Sequence, residues 1–462
     1  MDAILLLDFG STYTKLTAVD LEKEEIIATA KDLTTVNTDI MIGFNNAYEK
    51  LQEDMKGLDI NFVDKLACSS AAGGLKMIAV GLVPELTAEA AKRAALGAGA
   101  RILGVYSYEL SRSEMNEIKS KNPDIILLAG GTDGGNKDCI IHNAKLIADN
   151  IKDVPIVVAG NKNARDEIED LFKEKNIYYE ATENVMPRLN VINVEPAREV
   201  IRKIFMAKIV EAKGMKKAED FISGILMPTP AAVLKAARVL ADGTDKEEGI
   251  GDLIVIDIGG ATTDVHSIAS GEPTKAGATL RGLQEPYAKR TVEGDLGMRV
   301  SAISLWEAAT TKKIKKHVPD TKFDIEERCK YLQNNVNIIP QTEEEIAFDE
   351  AMGMVATELA MERHVGYIES VYTPMGVIYS QVGKDLLNTK YLIGTGGVLV
   401  HSVNPKRILG AGLFNMESPN YLKPMNPEIM IDKTYILSSM GLLAEKYPDI
   451  AIRIMKKYIV KA

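Results

Sequence analysis

Cysteine is scarce in this chain of 462 residues: Cys68, Cys139 and Cys329 are all there is. They lie far apart and form no CxxC, which excludes a disulfide framework and argues against a cysteine-held metal or iron–sulfur cluster. Long apolar runs are missing too. No stretch reaches the roughly 18 uncharged apolar residues of a membrane span. The opening Met1 to Asp8 lacks a basic n-region and its apolar run is short for a signal peptide, so a cytoplasmic location is expected. Positive charge is in deficit, with a net charge of −10. A phosphate backbone would be repelled overall, and no nucleic-acid partner is expected. The one compact basic run, Lys312-Lys313-Ile314-Lys315-Lys316-His317, reads as a solvated helix face. His142, His317, His364 and His401 have no ligand spacing, and no triad is visible.

What remains is ordinary soluble material, 46% hydrophobic and 26% charged, long enough for two to four domains. Ala3–Asp8, Thr14–Asp20 and Glu25–Lys31 read as three short strands, with a tight turn at Phe9-Gly10-Ser11-Thr12. The segment Thr87–Ala95 favours helix. Asp124–Ala129 and Pro155–Ala159 are continuous apolar runs, the pattern of strands covered on both faces. Asp138–Asn150, Asn163–Lys175 and Glu195–Lys213 look helical, the last long enough to cross between lobes.

The opening pattern then returns. Leu253-Ile254-Val255-Ile256-Asp257-Ile258-Gly259-Gly260-Ala261-Thr262-Thr263 matches the start of the chain with Asp8 on Asp257, Gly10 on Gly259 and Thr14 on Thr263. Two copies about half a chain apart point to a duplicated lobe rather than a short repeat. The expected fold is α/β, two duplicated ribonuclease-H-like lobes, each with a mixed sheet and flanking helices. Lobe I is expected over 1–248 with an insertion near 35–120, and lobe II over 249–462 with an insertion near 296–345. The polar stretch Asp242–Gly249 reads as the linker.

A hairpin turned by Gly, Ser and Thr presents backbone N–H groups and hydroxyls that can wrap phosphate oxygens. Several charge-assisted bonds, each about 1.5–3 kcal/mol, would hold a polyphosphate. The candidates are Gly10, Ser11, Thr12, Thr14 and Lys15 in the first hairpin, and Gly259, Gly260, Ala261, Thr262 and Thr263 in the second. A buried carboxylate beside a triphosphate needs a cation between them, so Asp8 and Asp257 read as Mg²⁺ residues. Two facing hairpins would grip the phosphates from both sides. Two more glycine clusters would let backbone approach a ligand closely: Gly131, Thr132 and Asp133 within Gly130–Gly135, and Gly394, Gly396 and Gly397. Neither is a P-loop or a dinucleotide fingerprint, since Asn136 replaces the P-loop lysine and Leu399 the third glycine. Asp264-Val265-His266-Ser267-Ile268-Ala269 approaches the DxHxxG cobalamin pattern but ends in alanine. His266 would also lie on a strand rather than a mobile loop.

Asp257 to Val265 resembles the second phosphate segment of Hsp70-like proteins, and Asp8 to Thr12 their first. With Gly394-Thr395-Gly396-Gly397 as the adenosine segment, the landmarks of the actin/Hsp70/sugar-kinase superfamily occur in order. That resemblance implies ATP and Mg²⁺ as cofactors and places Asp264 where relatives orient attacking water or the metal's hydration shell. More narrowly, Cys68–Met77, Val80–Thr87, Leu128–Gly135 and Thr291–Met298 are similar to the accessory L component of glutamate (methylaspartate) mutase, the GlmL/MutL family. The likeness implies a slow Mg-dependent ATPase that reactivates an adenosylcobalamin-dependent glutamate mutase, with that mutase's subunits as partners; a homodimer stays open.

Three other readings compete. A small-molecule kinase would need a base, for which Asp133 or Glu293 could serve, although Glu293 and Asp295 could equally shape a turn. A non-enzymatic actin-like scaffold would use the mixed apolar and basic C-terminus on a membrane, where a packed terminal helix is the simpler expectation. A dehydratase-activating ATPase lacks its cluster cysteines here.

Overall fold

Ala3 to Leu7 are all fully buried, which a strand achieves only when both faces of its sheet are covered. They form the middle of β1 (Asp2–Phe9), followed by β2 (Tyr13–Asp20) and β3 (Glu25–Leu33). The computed structural model describes every residue except 11, 36–38, 71–74, 212–224 and 375. It divides into two units, Met1–Ala232 and Val233–Ala462.

In the first unit β1 pairs antiparallel with β2, and β2 with β3. On its other side β1 pairs parallel with β4 (Asn61–Ser69), and β4 with β10 (Ile225–Pro228). The sheet order is β3-β2-β1-β4-β10. β3 is the outer strand, and its exposed and half-buried residues suit an edge. The helix Ile40–Asp54 places Phe44 6.2 Å from Phe9, ring to ring.

Between β4 and β10 the chain builds a second sheet. Its strands are β5 (Lys76–Val80), β6 (Arg101–Tyr106), β7 (Ile125–Leu128), β8 (Ile156–Val158) and β9 (Tyr179–Ala181). All neighbours are parallel, in the order β6-β5-β7-β8-β9. The fully buried β7 and β8 are the two apolar runs of the sequence. The helix expected at Asp138–Asn150 runs over those residues, and its Ile140, Ala144 and Ile147 join Ile126, Leu128 and Val158 in one core. The helix expected from Thr87 begins as a π turn, Pro84–Ala88, before Glu89–Gly97. Glu195–Glu211 is helical, and the remainder of that expected helix lies outside the described residues.

The second unit repeats the first plan. β11 (Leu253–Ile258) pairs antiparallel with β12 (Thr263–Ile268), and β12 with β14 (Ala288–Glu293). β11 also pairs parallel with β17 (Tyr391–Thr395), and β17 with β18 (Glu428–Asp432). An antiparallel β19 (Ile459–Lys461) completes the order β14-β12-β11-β17-β18-β19. Each unit therefore has three antiparallel strands on one side of the sheet and two parallel strands on the other. This is the ribonuclease-H-like arrangement, present twice, as in the actin/Hsp70/sugar-kinase fold. A small sheet, β13 (Ala278–Leu280), β16 (Gly376–Val382) and β15 (Tyr367–Thr373), accompanies it.

The long helix Glu343–His364 opens with a capping box, Thr342 and Glu345, and brings Phe348 into a core with Leu305, Ile314, Cys329, Leu392 and Ile431. The basic run lies at the end of the helix Ala302–His317. There Lys313 pairs with Glu358 at 3.0 Å and Lys316 with Glu417 at 2.5 Å. The C-terminal helix Pro448–Tyr458 buries Ala451, Ile452, Ile454 and Met455, so its apolar face is packed within the unit. Among the described residues, no helix is long and apolar enough to cross a membrane.

Candidate functional site

Asp8 lies opposite Lys15 across β1 and β2, and directly opposed residues share a face of the sheet. Lys15 Nζ is 4.0 Å from Asp8 Oδ2. The turn between them is closed by Gly10 N–H donating to Tyr13 O at 3.0 Å. A Cβ on Gly10 would sit 2.5 Å from that same oxygen, so only glycine fits. Thr12 O accepts from Thr34 N–H at 2.8 Å, and the hydroxyls of Thr14 and Thr34 are 3.0 Å apart. Ser11 lies outside the described residues. Asp8 is only 2% exposed, and its Oδ1 accepts from Thr229 Oγ1 at 2.6 Å. Thr229 is the first residue of the helix Thr229–Asp242, directly after β10. Its hydroxyl is also 3.6 Å from the sulfur of Cys68, the residue beside Asp8 on β4. Burial first, and the Asp8 charge next, push the Cys68 thiol well above its ordinary range.

In the second unit the turn is closed in the same way, by Gly259 N–H donating to Thr262 O at 2.9 Å. Asp257 faces Asp264 across β11 and β12. The segment after β14 supports this turn from behind. Met298 N–H donates to Gly259 O at 3.1 Å, Arg299 N–H to Gly260 O at 2.9 Å, and Ser301 Oγ to Ala261 O at 2.7 Å. Thr263 is buried and donates to Leu296 O at 2.7 Å. With these oxygens drawn towards residues 296–301, the turn is held by its carbonyl side. Gly297 is required at this contact, because a Cβ there would fall 2.3 Å from Ala261 backbone carbon.

The duplication extends beyond the hairpins. Cys68, beside Asp8, contacts Thr229 at the end of the next strand. Thr395, beside Asp257, donates to Asp432 Oδ2 at 3.3 Å at the end of its next strand. Asp432 is fully buried and accepts from Ile436 and Leu437 N–H, both at 3.0 Å, at the start of the helix Leu437–Leu443. Each lobe thus ties the strand next to its hairpin carboxylate to a helix start.

The glycine clusters follow strands of different sheets. Gly394 lies in β17, and Gly396 and Gly397 open the short helix Gly397–His401. Gly396 has φ +99, and a Cβ there would meet Ile258 O at 2.4 Å and Asp257 Oδ1 at 2.9 Å. Glycine leaves this space beside the carboxylate open. Gly131, Thr132 and Asp133 belong instead to the parallel sheet, because β7 pairs with β5 and β8 rather than with β1 or β4. Their loop is tied down by asparagines. Asn161 Nδ2 donates to Gly135 O and Asn136 O at 3.0 and 3.1 Å, and Asn184 Nδ2 to Gly131 O and Asp133 Oδ1 at 3.0 Å each.

The donor set suits Mg²⁺ rather than an all-protein cage. Among the described residues no three His, Cys, Asp or Glu side chains could together hold a metal ion. Mg²⁺ commonly takes one or two carboxylates plus phosphate and water, and a single carboxylate at the tip of a hairpin matches that habit.

The family model described as MutL protein matches residues 4–459. The chain belongs to that family. The Protein MutL of Clostridium tetanomorphum is 72% identical over 461 residues, covering 100% of each chain. Likeness to solved structures is distant. The activator of the 2-hydroxyisocaproyl-CoA dehydratase from Clostridium difficile with bound ADPNP is 10% identical, with TM-score 0.31 over 98% of this chain and 97% of that one. A ligand-bound xylulose kinase from Lactobacillus acidophilus is 11% identical, with TM-score 0.36 over 100% and 93%.

Within this MutL family chain, two positions escaped sequence reasoning: Thr229 and Asp432. Thr229 is 221 positions from Asp8, and no local pattern marks it beyond a Pro-Thr-Pro stop after a strand. The two bases weighed for a kinase are engaged. Glu293 Oε2 accepts from Arg363 at 2.8 Å, and Asp133 Oδ1 from Lys162 N–H at 3.0 Å as well as from Asn184. Asp295 forms a two-pronged pair with Arg363 at 2.6 and 2.8 Å, which holds its carboxyl below the usual range.

Proposed function

We propose that this chain binds ATP with Mg²⁺ through its two carboxylate-tipped hairpins and uses slow hydrolysis to reactivate an adenosylcobalamin-dependent glutamate mutase in the cytoplasm. The observation that carries the reading is the duplicated turn, Gly10 N–H to Tyr13 O and Gly259 N–H to Thr262 O, each two residues past a strand-end aspartate. Turn backbone and hydroxyls bind phosphate oxygens; Asp8 and Asp257 hold the ion; Thr229 fixes the Asp8 carboxylate; and Gly396 and Gly397 admit the nucleoside side. When bound, Mg²⁺ would neutralise charge on the β- and γ-phosphates. Family membership and the full-length match to Protein MutL support the mutase connection.

Radical mutases lose their adenosyl group and trap damaged cobalamin, so a protein that changes shape with its nucleotide could pry the mutase open. Release of inactive cobalamin from purified mutase should require this protein together with ATP and Mg²⁺. Equal release without nucleotide would sink the proposal. Asp8→Asn and Asp257→Asn should each cost about 100-fold or more in turnover, measured as phosphate release in the presence of the mutase.

A further inference from the structure

In a trans peptide the carbonyl of one residue and the N–H of the next point to opposite sides, and the peptides of the second turn are trans. Gly259 O, Gly260 O and Ala261 O all accept from the segment after β14, from Met298 N–H, Arg299 N–H and Ser301 Oγ in turn. The N–H groups of Gly260, Ala261 and Thr262 are thereby turned away from that segment. Successive N–H groups on one side of a turn make a nest for an anion. Gly259 to Thr262 are each only half-buried, which leaves the outer side accessible.

The direction of the nest therefore depends on what fastens the segment behind it. The Arg299 side chain does this. Its Nη2 donates to Asp349 Oδ2 and its Nη1 lies 3.4 Å from Asp349 Oδ1, the two-armed grip that a guanidinium makes on a carboxylate. Nη1 also donates to Met298 O at 2.9 Å, and Nη2 to Ile338 O at 3.4 Å. Asp349 lies in the helix Glu343–His364 and is 6% exposed. Leu296, Met298 and Ala302, on either side of Arg299, share one core with Phe348, the neighbour of Asp349. The helix thus reaches the turn through a single ion pair.

We infer that Arg299 is a positioning residue for phosphate binding: clamped by Asp349, it keeps residues 297–301 on the carbonyl side of the turn, so that the N–H groups of Gly260, Ala261 and Thr262 stay aimed at phosphate oxygens. This rests on the ATP reading above.

The test uses full-length protein and MgATP calorimetry, in which stoichiometry reports the folded fraction and Kd the site. Arg299→Met should weaken MgATP about tenfold or more, because small displacements of binding groups cost that much. Arg299→Lys keeps the charge without the two-armed grip and should recover part of the loss. Breaking a buried pair also destabilises by itself, so Lys423→Met serves as the control. Lys423 is fully buried and pairs at 3.3 Å with Glu362, on the same helix but about 20 Å along it from Asp349. That variant should bind MgATP within about threefold of wild type. Hydrogen exchange supplies a reading that needs no variant: MgATP should slow exchange at Gly260, Ala261 and Thr262 in wild type. A folded Arg299→Met that binds like wild type would overturn the inference. Where Arg299→Met does not fold, an Arg299→Lys of wild-type affinity would do the same. So would a Lys423→Met as weak as Arg299→Met, or wild type that binds MgATP with unchanged exchange at those three residues. Wild type that fails to bind MgATP would instead overturn the ATP reading, and this inference with it.

Discussion

His266 lies on β12 with 1% of its surface exposed, two residues beyond Asp264. Burial first, and the neighbouring Arg290 charge next, push its imidazole down to about 3. In the unfolded chain it would titrate near 6.5. Between those values the unfolded state binds one proton more than the folded state, so stability rises with pH across this window. The contribution is complete above pH 6.5 and is lost as pH falls towards 3, at up to about 1.4 kcal/mol per pH unit. His364, buried and also held well below its ordinary value, adds to the same window. Denaturant titrations at pH 5 and pH 7 should therefore show a smaller stability loss in His266→Asn than in wild type. Equal losses would remove His266 from the account. The sequence placed this histidine on a strand leaving the turn, which is where it is. It could not show Arg290 opposite, because that partner depends on the β12–β14 register.

Among elements, the strand–turn–strand pairs follow most directly from local chemistry. β1, β7, β8 and β11 are short apolar runs buried almost throughout, and continuous runs of that length leave few alternatives to a covered strand. Gly10 is dictated by the turn itself, and at Gly259 a Cβ would sit a tight 3.0 Å from Thr262 O. Which sheet Gly131, Thr132 and Asp133 follow was not legible for an equally physical reason: an apolar strand followed by glycines looks the same whichever sheet it joins. Pairing partners are set over long chain separations and leave no periodic trace. The Gly394–Gly397 segment offers a sharp contrast at one-residue spacing. Gly396→Ala meets both a positive φ and the Ile258 carbonyl, and should cost about 3 kcal/mol or prevent folding. A Cβ at Gly397 meets nothing within 4 Å, so Gly397→Ala should leave stability within about 1 kcal/mol. Urea denaturation of the two variants measures this. Equal costs would mean that the segment relaxes away from β11.

For the whole molecule, two lobes of one sheet order came from a repeat visible in the sequence, and the 249-residue spacing of Asp8 and Asp257 already implied it. The strand order and the Cys68–Thr229 and Thr395–Asp432 correspondence then extend the repeat to positions with no sequence likeness at all. If the hairpins bind MgATP, ligand at about 100 times its Kd should raise the unfolding free energy by about 2.7 kcal/mol, and EDTA should abolish the effect. A melting temperature indifferent to MgATP over that range would count against the binding.

The helix Thr229–Asp242 begins in one unit and ends in the other, whereas domains more often join through slack, polar linkers. Its Ala232, Ala236, Ala237 and Leu240 are buried, and its leading hydroxyl grips Asp8. Severing the chain here would cut through hydrogen-bonded backbone, robbing one half of a carboxylate clamp and the other of a packed flank.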